Sequence, residues 1–153
     1  MHPLKALRRA SVDLLSSAGL SVIVGGETQD VAILEHPPTD AAVPEELLPA
    51  IYSYCRSERI EPDSMRTDRR QVLIDFVLQA KGTEHTALDQ VDDMHLDLER
   101  TIAASDKLGG LLMMIRPAGS EVNVQRGEVV FAARRVSFEA TLILPRHDPS
   151  VIL

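Results

Sequence analysis

The side chains best spaced for chemistry in this chain are Asp92, His95 and Glu99. On a helix, positions i, i+3 and i+7 lie on one side, so two carboxylates and an imidazole could approach one divalent cation. Such a site needs further ligands from elsewhere and a partner that orients the imidazole. The simpler reading is an amphipathic helix whose histidine sits on the apolar seam and is hydrogen-bonded at the edge of a core. Glu84 and His85 sit in a connection where they could serve as acid and base, but a lone pair of this kind occurs by chance in most sequences. Cys55 would be a nucleophile only beside a base in an electropositive pocket. In its alternating apolar stretch it reads as a small packed hydrophobe. No G-x-S-x-G elbow accompanies the Ser, His and Asp residues. GGETQD, residues 25–30, lacks the Lys and Ser or Thr of a phosphate-binding loop and reads as a turn. No catalytic residue, cofactor-binding residue or metal ligand is expected, and no cofactor. The chain is not expected to be an enzyme, and a small metal-dependent or acid/base enzyme using Asp92, His95 and Glu99 is the contrasting alternative.

The bulk numbers narrow the function classes further. At 153 residues the chain suits one domain, 1–153, with an ordinary core. With 44% hydrophobic and 25% charged residues it has globular composition. Aromatics make up 3% and Trp is absent, so a surface that reads nucleic acid by base stacking has little to use. A net charge of −7 opposes general polyanion binding, and no sequence-specific nucleic-acid binding is expected. The single cysteine excludes an internal disulfide framework and a cysteine-rich zinc site, which fits a reducing cytoplasm. MHPLKALRRA has no apolar signal-peptide core, and no window approaches the roughly 18 apolar residues of a membrane span. Synthesis in a cytoplasm, with no membrane partner, is the expectation.

The elements that would position these residues follow from periodicity. Pro3–Ala18 reads as a helix, with Pro3 in the first turn, Gly19 past the end, and Leu4, Leu7, Leu14, Leu15 and Ala18 on one face. Lys5, Arg8 and Arg9 oppose the helix dipole there, as a solvated face or as a contact for an acidic partner. Ser21–Val24 and residues 31–34 are short strand-like runs that GGETQD could join as a hairpin. Residues 35–46 form a Pro-rich loop. Ile51, Ser53 and Cys55 alternate with Tyr52, Tyr54 and Arg56 in a strand entered through Pro49. Residues 60–69, IEPDSMRTDR, read as a charged connection that projects from the domain.

The next strand, residues 70–80, is expected at the centre of the sheet. Val72, Ile74, Phe76, Leu78 and Ala80 fall on one face, and the opposite face, Leu73, Asp75, Val77 and Gln79, is half apolar. A helix over 87–105 follows, capped by Thr86 with Asp89 in a weak capping box, its seam Leu88, Val91, His95, Leu98 and Ile102. Gly109 and Gly110 break it. LLMMI from Leu111 reads as a short buried strand, and 117–119 as a turn. EVNVQ and EVVFAARR flank Arg126 and Gly127 as a hairpin. The last strand, 134–144, puts Val136, Phe138, Ala140, Leu142 and Leu144 on its core side. Residues 145–153 are a tail whose Val151, Ile152 and Leu153 dock on this chain or on a neighbour. The expected class is α/β in the α+β sense: a mixed, mostly antiparallel sheet packed with two helices.

This order of elements resembles the tail terminator proteins of long-tailed bacteriophages, the family of the lambda minor tail protein U. The resemblance is most local in LLPAIYSY, in RRQVLIDFVLQA leading into ALDQVDDMHLDLERTI, and in RRVSFEATLIL. It implies a structural virion protein without catalytic residues: a homo-oligomeric, hexameric ring at the head-proximal end of the phage tail. That ring would sit on the tail tube protein, stop tube polymerisation and present the surface on which a head-to-tail connector protein docks. Another head-to-tail connector or a tail-completion protein is the related alternative. Candidate subunit-interface residues are Arg66, Arg69 and Arg70, opposed to Asp92, Asp93 and Asp97, together with Val151, Ile152 and Leu153.

Overall fold

The computed structural model describes residues 1–39 and 43–153, so positions 40–42 of the Pro-rich stretch lie outside the described residues. The first helix, α1 (Pro3–Ala18), starts where the His2 side chain accepts a hydrogen bond from the Leu4 amide and ends at Gly19 in the left-handed region. Its buried stripe is Pro3, Leu7, Ser11 and Leu15. Leu4 and Leu14 are half-buried beside it, and Ala18 is exposed rather than on the core face.

The first hairpin is tighter than the sequence implied. β1 (Ser21–Val24) pairs antiparallel with β2 (Glu27–Asp30), not with residues 31–34. Gly25 and Gly26 both have positive φ, 59° and 82°, which makes a two-residue turn with the twist a hairpin requires. The apolar run after it supplies β3 (Ala32–Ile33), which pairs parallel with the start of β4 (Ala50–Pro62). β5 (Thr67–Gly82) pairs antiparallel with β4 and with β7 (Val130–Pro145), and β7 pairs with β6 (Met114–Gln125). The order β3-β4-β5-β7-β6 puts β5 in the middle of a mixed, mostly antiparallel five-stranded sheet, as its two-sided pattern demanded.

Residues 60–69 are a second correction. They are paired strand, not an open connection, and only residues 63–66 turn. Charges on facing strands hold the register: Arg70 reaches Glu58 at 3.1 Å, Arg69 reaches Asp63 at 3.0 Å, and Arg59 bonds Gln71 at 2.8 Å.

α2 (Glu84–Ala104) begins three residues earlier than expected. Thr83, not Thr86, is the cap: its hydroxyl accepts from the Thr86 amide, while the Thr86 hydroxyl accepts from the Thr83 amide at 2.8 Å. Ala87, Gln90, Val91, Met94, Leu98 and Ile102 are buried, whereas Leu88 and His95 lie half-buried at the edges of that face. The helix breaks before its glycines, because Asp106, Lys107 and Leu108 already have positive φ. LLMMI is not a buried strand: Leu112 is buried, Met113 and Met114 are exposed, and β6 opens at Met114 as an edge strand. The expected turn at 117–119 is a register irregularity within β6, where an edge strand tolerates a proline. The hairpin around Arg126 and Gly127 forms as read.

The main core lies between the helices and one sheet face, with Val72, Ile74, Phe76, Leu78 and Ala80 of β5 against Val136, Phe138, Ala140 and Leu142 of β7. Phe76 and Phe138 meet edge to face, centroids 5.6 Å apart. A smaller cluster of Val43, Leu48, Ala50, Tyr52 and Val77 covers one end of the opposite face.

Candidate functional site

Asp92, His95 and Glu99 do come together on α2, but the position a cation would take is filled by this chain. Arg134 on β7 approaches Asp92 Oδ1 at 2.7 Å and His95 Nδ1 at 3.2 Å with the same Nη1. A guanidinium only donates, so Nδ1 accepts and His95 Nε2 carries the hydrogen it gives to Glu99 Oε1 at 2.9 Å. Register explains the contact: Arg134 lies opposite Leu78 on β5, so it faces the helices like the core residues around it. Among the described residues no group of three His, Cys, Asp or Glu side chains is disposed to hold a metal ion. Glu84 bonds Arg126 at the β6–β7 turn, which lowers the Glu84 carboxyl below its usual range. His85 is not part of that contact.

Cys55 is half-buried, its Sγ 3.8 Å from the Leu4 carbonyl oxygen. Burial pushes its thiol up to about 11 despite the opposing influence of Arg8, so it packs as a hydrophobe and is not an activated nucleophile.

The sequence singled out no role for Asp75, yet it forms the most deeply buried polar cluster. Its side chain has no exposure; Oδ2 accepts from Arg56 Nε at 2.8 Å and Oδ1 accepts from the Ser137 hydroxyl at 2.7 Å, with Arg135 Nε 3.8 Å away. The signal was available: an aspartate inside RQVLIDFVLQA has to find cations across the sheet. Tyr54 and Ser137 face it on the neighbouring strands in register.

The expected interface charges divide into two groups. Arg69, Arg70 and Asp92 pair with Asp63, Glu58 and Arg134 within the chain, while the buried Nε atoms of Arg69 and Arg70 have no hydrogen-bond partner among the described residues. Arg66, Asp93 and Asp97 make no ion pair among the described residues, and Arg66 and Asp93 are exposed. At the tail, the Leu153 amide donates to the Ile143 carbonyl at 2.9 Å and Ile152 packs partly against the core, while the Val151 and Leu153 side chains are exposed.

The sheet itself leaves two long edges open on opposite sides. β3 covers only Ala50 and Ile51 of β4, so among the described residues no strand pairs with the outer edge of β4 beyond them. β6 ends the sheet on the other side, and its twelve residues are mostly exposed. The β4–β5 tip carries two exposed apolar side chains, Ile60 and Met65, the latter 93% exposed. No helix among the described residues is long and apolar enough to cross a membrane. No protein-family model matches the chain, and no curated protein matches its sequence.

Proposed function

We propose that this protein is a structural subunit that closes into a ring on the end of a phage tail tube, ends tube polymerisation and offers the surface on which the head docks. The observation that carries the reading is the pair of open sheet edges, β4 beyond Ile51 on one side and β6 on the other. Unpaired edges are a hazard that folded proteins usually cover. Two different edges on opposite sides of one sheet suit a head-to-tail contact, and such contacts close into rings when the rotation permits. The exposed Ile60 and Met65 at the β4–β5 tip give the body a second point of reach toward a neighbouring subunit or the tube. The hexamer, the tube protein and the connector as partners, and the place at the head-proximal end of the virion all come from the family resemblance. A related assignment, another connector or tail-completion subunit, uses the same edges and differs only in the body that the ring caps.

Arg134, close to both Asp92 and His95, speaks against the metal-dependent form of the Asp92, His95 and Glu99 reading. The deciding experiment mixes purified protein with tail tubes and follows particle mass and shape by mass photometry and electron microscopy. Rings at tube ends support the assignment. A protein that stays monomeric at every concentration and ignores the tubes overturns it.

A further inference from the structure

We propose that a cationic cleft beside α1 receives the acidic outer face of α2 from the next copy of this chain. The inference rests on the ring reading above and names the surfaces through which the ring closes.

The cleft has a volume of about 520 Å³ and is lined by Lys5, Arg8, Arg9, Val12 and Asp13 of α1 with Glu35 and His36 of the segment after β3, so its three cations outnumber its two acids. Lys5, Arg8 and Arg9 make no ion pair among the described residues, although most other arginines do. They lie three and four residues apart on one helix, so they repel one another, and they stand at the helix end where the dipole disfavours cations. A fold that needed only solubility would gain from acids there.

α2 carries the complement. Of its six acids between Glu84 and Glu99, Glu84, Asp92 and Glu99 have partners in Arg126, Arg134 and His95. Asp89, Asp93 and Asp97 have none among the described residues, and their spacing of four puts them on one stripe of self-repelling charge. Leu96, 47% exposed, sits among them as an apolar centre.

α1 and α2 pack side by side, with the cleft toward the β3 edge of the sheet and a second groove toward the β6 edge. α1 packs over β4 and β3, and α2 packs over β5 and β7. The helix-side face of β6 beyond them is left as a groove of about 500 Å³, with Leu96, Ile102, Ile115 and Phe138 as its apolar lining and Glu99, Arg100, Asp106 and Lys107 as its charged lining. Placing the β4 edge of one copy beside the β6 edge of the next sets α1 of the first alongside α2 of the second. In the proposed contact the cations reach over Leu96 to Asp89 and Asp93 on the outer side of α2, and the groove is covered. Because the two surfaces differ, the contact is heterologous and propagates in one direction, as a ring requires.

The test compares the full chain with Lys5→Glu/Arg9→Glu, with Asp89→Lys/Asp93→Lys, and with all four changes together, by mass photometry and electron microscopy with and without tail tubes. These four side chains are exposed, and circular dichroism checks that each variant is folded. Each double variant should need at least about tenfold more protein to form rings, and raised salt should weaken the wild-type ring in the same direction. The fourfold swap should recover assembly. Double variants that form rings as readily as the wild type, or a swap that fails to rescue folded subunits, would overturn this interface and leave the ring reading standing. A wild-type chain that forms no ring even on tubes removes both.

Discussion

Arg56 Nε lies 2.8 Å from Oδ2 of Asp75, a carboxylate without solvent exposure on the central strand of the sheet. Arg56 itself keeps 40% of its side chain in water. The two partners are therefore unequal. A guanidinium that loses Asp75 can turn toward solvent, whereas the carboxylate that loses Arg56 stays buried with Ser137 and the more distant Arg135.

Arg56→Met should consequently destabilise the subunit by about 1–3 kcal/mol, the penalty for a buried charged acceptor deprived of its strongest donor. Asp75→Asn keeps the shape and an oxygen for the Ser137 hydroxyl, and should lose less. Urea denaturation of both variants measures the order. An Asp75→Asn protein less stable than Arg56→Met would show that the aspartate is held by something other than this pair.

Lys107 sits at φ 58° and ψ 46°, between Asp106 and Leu108, which also have positive φ. A left-handed residue with a Cβ costs roughly 1–2 kcal/mol, partly offset here by the larger entropy that glycine loses on folding. Lys107→Gly should then raise stability by about 0.5–1 kcal/mol, visible as a higher urea midpoint at unchanged m. The side chain is exposed and makes no ion pair among the described residues, so little else changes.

Burial raises the Cys55 thiol from 9.0 to about 11. The neutral thiol is thus favoured by the fold: this contribution is complete below pH 9 and is lost as pH rises through 11. At pH 8 the native protein holds about a hundredfold less thiolate than the unfolded chain, and alkylation should slow by at least that factor. Iodoacetamide labelling with and without urea reads it directly. Equal rates would mean that Cys55 is accessible and that its thiol is not shifted by burial.

His95 is placed between Arg134 and Glu99, so metal analysis of the purified chain should find nothing stoichiometric, and His95→Ala should alter stability alone. Zinc bound at one equivalent and lost in His95→Ala would contradict the arginine-filled arrangement.

Much of the fold was legible because the sheet is two-layered. β5 and β7 each carry one unbroken apolar face, and the alternate residues from Val72 to Ala80 and from Val136 to Leu144 are buried as that pattern predicted. Errors arose where a local signal competed with a tertiary one. Two glycines form a complete hairpin turn by themselves, which shifted the partner of β1. Residues 60–69 looked like a loop because their strand pairing is held by Arg70 with Glu58 and Arg69 with Asp63, cross-strand pairs that periodicity does not register. The site was less legible for the same reason. Arg134 was visible only as the first residue of a strand, and nothing local announces that it reaches Asp92 and His95 on α2. Charge pattern alone offered Arg69 and Arg70 to a neighbour, while the fold uses both within its own hairpin and leaves Lys5, Arg8 and Arg9 instead.

The central claim is that this chain assembles head to tail into a ring that caps a tube. Electron microscopy of the purified protein added to tail tubes, with particle mass measured in parallel, addresses it most directly. The account predicts closed rings of uniform subunit number, seated at tube ends and halting further growth. Monomers at every concentration, with tubes that bind none and continue to elongate, would contradict it.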